Sequence, residues 1–325
     1  MLEVNNVKFR YSSGKESVLN GVNFTLSEHE ILSVIGPSGS GKSTLLHLLA
    51  GLIQPTAGSI AFEGSQLKNP DEQLIAGHES IKLVFQDFKV MPNRTVEENV
   101  RYKLLNFDKE YQQERTQSLL ELCKLEDYSK SLPNHLSGGQ QQRLALARTL
   151  ADDPKVLLMD EPFSNLDPVT KEDLFERVLD IVNTESLSLI LVSHDIQDVL
   201  RITNKIIFLS EGVIRQEGNP IELYENPQSE LVARFFGPLN DVSMLLNEPN
   251  AFVRREHIRF TASNEQSYSA ELLESVFMLG DKFLNCVVTN CGTKVYGFTS
   301  KPLIAKNRQV YFNFDFKKVL YFRRS

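Results

Sequence analysis

Cysteine is scarce in these 325 residues, and Cys123, Cys286 and Cys291 are too few and too uneven for a disulfide framework. A reducing cytoplasm fits them better. Cys286 and Cys291 could be half of a metal site, but no His or Cys pair accompanies them, so they read as ordinary strand thiols. A basic excess is also missing: Lys and Arg number 35 against 42 Asp and Glu, a net charge of −7. That total leaves no field for a nucleic-acid backbone. No apolar run approaches the roughly 20 residues needed to cross a bilayer, and residues 1–6 lack the basic leader and apolar stretch of a signal peptide. If the protein works at a membrane, another chain is expected to do the spanning.

What is present is an ordinary globular composition, 41% hydrophobic and 24% charged, in a chain long enough for two domains. Charge is unevenly spread. From Asn240 onward there are 12 Lys and Arg against 8 Asp and Glu, and the remainder holds 23 against 34. That shift places a boundary near residue 240, with domains expected over 1–238 and 239–325. The +4 balance of the tail reads as solvated surface rather than a polyanion site.

The most informative stretch is Gly36-Pro37-Ser38-Gly39-Ser40-Gly41-Lys42-Ser43-Thr44. It fits the G-x-x-x-x-G-K-[ST] loop that cradles phosphates. The apolar run 31–35 before it reads as a buried strand, and residues 45–50 after it begin a helix. Glycines let backbone N–H groups approach an anion, and the helix start adds free donors and a positive dipole end. Lys42 is expected to reach the β- and γ-phosphates, and Ser43 to offer its hydroxyl to Mg²⁺. A turn that binds nothing is the competing reading. Strand, loop, Lys-Ser and helix in this order argue against it.

Alternating strands are expected over 2–11 and 22–26, then further strands at 58–64 and 81–85. Residues of about 87–150 read as a helical insertion, opened by the capping box Thr95-Val96-Glu97-Glu98 and interrupted at Ser137-Gly138-Gly139. Strand 156–160, helix 168–184 and strand 188–193 follow, with a hairpin turning at Glu211-Gly212. This alternation predicts an α/β fold with a parallel sheet and helices on both faces. Residues 220–250 read as a Pro-broken helical connector, and the tail as short strands of a small barrel or sandwich.

Val156-Leu157-Leu158-Met159-Asp160-Glu161 delivers two carboxylates to a strand's carboxyl end, where ligands bind in such sheets. Asp160 is expected to support Mg²⁺, and Glu161 to orient or deprotonate the attacking water. A Ser-Gly-Gly turn that opens a helix, as at Leu136-Ser137-Gly138-Gly139-Gln140, is a second anion site by the same logic.

In that stretch the chain resembles the ATP-binding cassette family, whose signature reads LSGGQ. The resemblance covers roughly residues 1–240 with the motifs in the family's order. Tyr11 matches the aromatic that stacks on adenine, residues 36–44 the Walker A loop, and Gln86 the Q-loop that reports on Mg²⁺ and the γ-phosphate. Residues 156–161 match Walker B, Ser164-Asn165-Leu166-Asp167 the D-loop, and His194 the switch histidine. The resemblance implies ATP and Mg²⁺ as ligands and a head-to-tail homodimer, in which Ser137, Gly138 and Gly139 face ATP held by the partner copy. Every position checked is present, so hydrolysis is expected at both sites.

One cassette without a long heptad insertion points to a transporter. Residues 220–227 and Arg234-Phe235-Phe236-Gly237 look like the connector of importers with an added domain. Residues 253–260 resemble the opening of the oligonucleotide-binding-like TOBE barrel, with Arg255 standing where the pattern usually has proline. No nucleic-acid role follows from such a barrel alone. The resemblance thus implies an importer's ATPase subunit, cytoplasmic and peripheral on the inner face of the cell membrane. Its implied partners are separate permease subunits and, through the complex, a periplasmic or surface substrate-binding protein. The helical insertion would couple ATP to transport, and the layout is shared by importers of polyamines, ferric iron, anions or sugars. A regulatory ATPase that drives no transport is the alternative, and a nucleotide-binding scaffold without turnover a third.

Overall fold

A computed structural model describes residues 1–12, 16–85, 89–164, 166–261, 267–303 and 309–322. The chain divides into two compact units, Met1–Glu222 and Leu223–Ser325. In chain order the first unit holds β1 (Leu2–Phe9), β2 (Leu19–Leu26), β3 (Ile31–Ile35), α1 (Lys42–Leu49), β4 (Ala57–Phe62), β5 (Ser65–Gln66) and β6 (Ile81–Val84). The helical stretch follows as α2 (Val96–Arg101), α3 (Lys109–Leu122) and α4 (Gly138–Leu150). Then come β7 (Val156–Asp160), α5 (Pro168–Thr184), β8 (Ser188–Val192), α6 (Ile196–Ile202), β9 (Lys205–Ser210) and β10 (Val213–Gly218), with α7 (Pro220–Glu225) crossing into the second unit.

The central sheet runs β10-β9-β3-β8-β7-β6, parallel from β9 to β6, with β10 added antiparallel through the hairpin. Glu211 and Gly212 both take positive φ, at 51° and 73°, as a two-residue hairpin turn requires. The central strands are buried almost throughout and mostly apolar because both faces are covered. Their side chains alternate between two cores. Leu157, Met159, Leu189 and Leu191 face the helices. Leu158, Val156, Ile190 and Val34 face α1 and the antiparallel sheet β2-β1-β4-β5. Helices on both faces were therefore only half of the arrangement. The amphipathic strands β1, β2 and β4 need an apolar partner for their inward positions and find it on the central sheet.

In the helical stretch, the capping box at Thr95 forms as expected, with Thr95 Oγ1 accepting from the Glu98 amide and the Glu98 carboxylate accepting from the Thr95 amide. Arg115 on α3 makes a two-pronged ion pair with Glu185 at 3.1 and 2.9 Å, just beyond the end of α5. Both side chains are largely shielded, which favours such a charge-assisted pair over an exposed one.

The second unit continues through α8 (Glu230–Phe235), β11 (Leu239–Asp241), α9 (Ser243–Leu246), β12 (Ala251–Arg254), β13 (Arg259–Thr261), β14 (Tyr268–Met278), β15 (Lys282–Thr289), β16 (Lys294–Thr299), β17 (Gln309–Asn313) and β18 (Leu320–Tyr321). Its sheets are β11-β12-β18 and β13-β17-β14-β15-β16, antiparallel throughout. Residues 239–241, read as connector, are a strand because they pair with β12. The unit begins at Leu223 rather than near residue 239. The reason is Arg254, whose guanidinium donates to the carbonyls of Tyr224 and Ala233 and so ties 223–238 to the β-rich tail.

Candidate functional site

The site is built where β3 runs into α1. Gly36, Gly39 and Gly41 take φ of 149°, 77° and 102°, values open to glycine at little cost. A Cβ on Gly36 would stand 1.9 Å from the Leu209 carbonyl oxygen, and one on Gly41 2.7 Å from Leu19. The loop is thus held against β9 and β2 as well as being turned. Ser40 accepts from the Gly212 amide, and its own amide donates to Pro37. The Ser40 hydroxyl is buried without a partner among the described residues.

Lys42 is 7% exposed and donates to the Gly36 and Pro37 carbonyls at 2.9 and 2.8 Å. Burial lowers its pKa, with Glu161 and Asp160 opposing. A cavity of about 360 Å³ opens here, lined by Ser38, Gly39, Gly41, Lys42, Ser43, Thr44, Glu161 and Val18. Val18 is the one member that sequence motifs left unmarked, and no residue-type signal distinguishes it from other strand entries. Tyr11, 44% exposed, meets the loop through its hydroxyl, 3.1 Å from Thr44 Oγ1, and rests edge-on against Phe9.

Strand β7 carries Asp160 and Glu161 to the same place. Burial raises the Asp160 pKa, a hydrogen bond from Ser43 opposes that, and Glu161 adds to it. Ser43 and Asp160 are hard oxygen donors in contact, one carrying a charge that burial disfavours. A Mg²⁺ ion fits such a pair, since it takes few protein ligands and completes its shell with phosphate and water. Among the described residues no cluster of three or more His, Cys, Asp or Glu exists, so a cage built wholly from protein is absent there.

Glu161 has φ of 47°, left-handed for a residue with a side chain. Its amide donates to Val192 and its carbonyl accepts from Ser164, so sheet pairing and a turn hold this conformation. Its Oε2 lies 3.1 Å from His194 Nδ1. The His194 segment is anchored by Lys171 of α5, whose Nζ reaches Asp195 Oδ2 at 2.7 Å and Asp198 Oδ1 at 2.8 Å. Burial raises the Asp198 pKa, and the lysine opposes it. Lys171 is a member that motif reading missed. Only its spacing from Asp167, one helical turn, hinted that it shares a face with that cap.

The other expected site residues are placed elsewhere. Ser137 caps α4 in a second capping box with Gln140; Ser137 and Gly138 are exposed and do not line the cavity at Lys42. Gly139 is buried, and a Cβ there would stand 2.3 Å from Thr170 of α5. Asp167 caps α5, its carboxylate accepting from the Val169 and Thr170 amides at 3.1 Å; the Thr170 side chain first, and then these amides, hold its pKa down. Gln86 lies outside the described residues.

The ABC transporter family model matches residues 19–164. The glycine betaine/carnitine transport ATP-binding protein of Listeria monocytogenes is 39% identical over 74% of this chain and 62% of its own length. The chain therefore spans about three fifths of that relative. The choline transport ATP-binding protein of Bacillus subtilis is 35% identical over 95% of this chain and 81% of its own. A solved dimeric ATP-binding cassette in a post-hydrolysis state, bound to ADP and Pi, is 32% identical with a TM-score of 0.60, covering 67% of this chain and 98% of that one. On similarity that runs through most of these latter two proteins, the chain belongs to the ABC transporter family.

Proposed function

We propose that this chain is the ATP-hydrolysing subunit of a solute importer, working as a homodimer beneath separate membrane-spanning subunits. The observation that carries the reading is the convergence of Lys42, Ser43 and Glu161 on one cavity, with Asp160 bonded to Ser43 beside them. The loop amides and Lys42 would hold the phosphates, and Tyr11 the base. Ser43 and Asp160 would hold Mg²⁺, which supplies charge neutralisation at the phosphates. Glu161 would accept the proton of the attacking water as it bonds to the γ-phosphorus and the bond to ADP breaks. His194, within hydrogen-bond reach of Glu161, would steady that water and the transferring group.

The exposed Ser137-Gly138 turn supports a site completed in trans by a second copy. The Gly138 and Gly139 amides at the helix start suit a γ-phosphate, and a two-fold dimer gives both sites the same parts. Gln86 and Asp167 belong to this reading as the metal-sensing and interface positions. The C-terminal β unit is read as a TOBE-like domain.

A cleft of about 540 Å³ lined by Leu52, Ile75, Phe85, Lys89, Lys103 and Arg148 suits a permease element, with Leu74 and Ile75 almost wholly exposed at it or next to it. A peripheral place on the inner face of the cell membrane belongs to this reading; no helix among the described residues is long and apolar enough to cross a membrane. The test is turnover of ATP by the purified chain, with Glu161→Gln as control, and recovery of a permease with the tagged chain from membranes. No turnover above the Glu161→Gln level would overturn the enzymatic reading. Recovery from ribosomes or DNA in place of a permease would overturn the importer reading.

A further inference from the structure

Three glutamines in a row stand in the first turns of α4, and the fold gives each a different partner. Gln140 closes the capping box, its side chain accepting from the Ser137 amide. Gln141 donates to the carbonyls of Pro133 and Leu136, at 2.9 and 3.3 Å. Gln142 is 5% exposed, and its Nε2 donates to the carbonyl of Pro162, the residue that follows Glu161. The same face of α4 carries Gly139, where a Cβ would stand 2.3 Å from Thr170 of α5. The helix that bears the Ser137-Gly138-Gly139 turn is thus seated on its own chain by one steric and one polar contact.

The segment that Gln142 reaches has a backbone that local preference opposes twice. Glu161 has φ of 47°, a region that residues with side chains avoid. It also precedes a proline, whose ring pushes its predecessor toward extended backbone. Such a conformation persists only when the surroundings hold it. The Val192 carbonyl takes the Glu161 amide at 2.9 Å, and the Ser164 amide and hydroxyl reach the Glu161 carbonyl at 3.1 and 2.8 Å. Gln142 holds the next peptide. Pro162 is buried and has no N–H, so its carbonyl is the one backbone polar group by which it can be fixed.

We propose that Gln142 is a positioning residue for Glu161, fixing the Pro162 carbonyl so that the Glu161 carboxylate stays at the cavity beside Lys42. The proposal rests on the reading of Glu161 as the group that accepts the proton of the attacking water. Gln142 does not line that cavity and acts only through the backbone next to the base. It also keeps α4 in register with Glu161. A shift of the Ser137-Gly138-Gly139 turn is passed along one turn of helix to the residue beside the base.

The experiment is a steady-state and single-turnover ATPase series on the full chain, well below the melting transition of every variant. Gln142→Met keeps the length and volume of the side chain and removes its polar end. It should lower kcat by about 10- to 100-fold, as a small misplacement of a reacting group does, with KM and nucleotide affinity within about twofold. In the Glu161→Gln background the same change should cost less than about twofold, because the group it positions is already gone. Gln142→Glu gives a readout that packing alone would not move. Its protonated carboxyl can donate to the Pro162 carbonyl, whereas the ionised form can only repel it. Burial raises the pKa of such a carboxyl, so turnover relative to the parent should be higher at about pH 6 than at about pH 8.5. A kcat within about twofold of the parent in Gln142→Met, or an undiminished loss in the Glu161→Gln background, overturns the proposal. A Gln142→Glu ratio that is flat with pH does so too. A parent chain that turns over no ATP would sink the ATPase reading first. A parent that turns over beside an unaffected Gln142→Met removes this proposal alone.

Discussion

Glu161 Oε2 and His194 Nδ1 lie 3.1 Å apart, although they are carried by the ends of two different strands, β7 and β8. The parallel pairing of Asp160 with Val192 sets that distance, because each residue follows its strand end by one or two positions. Two side chains in such direct contact should not act additively. Glu161→Gln is expected to slow ATP turnover by about 10²–10⁴-fold while nucleotide affinity is kept. His194→Ala in that background should then cost less than it does alone. Turnover and nucleotide-binding titrations of the four proteins form the cycle. Strict additivity would separate the two residues.

Lys171 is expected to act as a positioning residue. Its ion pairs with Asp195 and Asp198 fix the segment that bears His194. Lys171→Ala should lower kcat by about tenfold with little change in KM, and Lys171→Arg should restore most of it. A purely structural role would instead lower thermal stability in proportion to activity, which a melting curve of each variant reads.

Asp160 gives a pH signature in the nucleotide-free protein. Its folded pKa is raised by burial first, so the folded state takes up a proton more readily than the unfolded chain does. Its contribution to stability is therefore fully present below the unfolded carboxylate value near 3.8 and is lost as pH rises through the raised value. Asp160→Asn carries no such titration. The variant should melt above the parent at neutral pH in the presence of EDTA, and the gap should close on acidification. Stabilisation by Mg²⁺-ATP should be lost in the variant.

Ser137→Arg should abolish turnover and leave nucleotide binding at Lys42 intact, since Ser137 is exposed and does not line that cavity. Mixing this variant with Glu161→Gln chains is the sharper measurement. If the turn acts in trans, a mixed dimer holds one site with both defects and one site with neither, so activity reappears. Absence of recovery in dimers shown to be mixed would count against action in trans.

Gly36→Ala should fail at the level of folding or of the loop, because the added Cβ would meet the Leu209 carbonyl at 1.9 Å. Relief requires the loop to leave β9, at a cost of about 3 kcal/mol or more by the usual toll of overpacking. Gly39→Ala meets nothing within 4 Å and bears only the cost of its positive φ. Melting temperatures of the two variants make the comparison.

Much of this protein was legible in the sequence because its signals are local. The apolar runs of β3, β7 and β8, the caps at Thr95, Ser137 and Asp167, and the Glu211-Gly212 turn each depend on near neighbours only. Their order along the chain sufficed for the α/β class, for Lys42 at a helix start and for Asp160 and Glu161 at a strand end. Contacts between distant segments were decided only in three dimensions. The antiparallel sheet over one face, Lys171 beneath the His194 segment, and Gly139 against Thr170 all involve residues whose own neighbourhoods are unremarkable. Arg254 is the plainest case. In the sequence it is one of two adjacent arginines, and only the fold buries one while leaving the other partly exposed. Burial is a property of what packs around a side chain, and periodicity of the short strand β12 could not specify that partner.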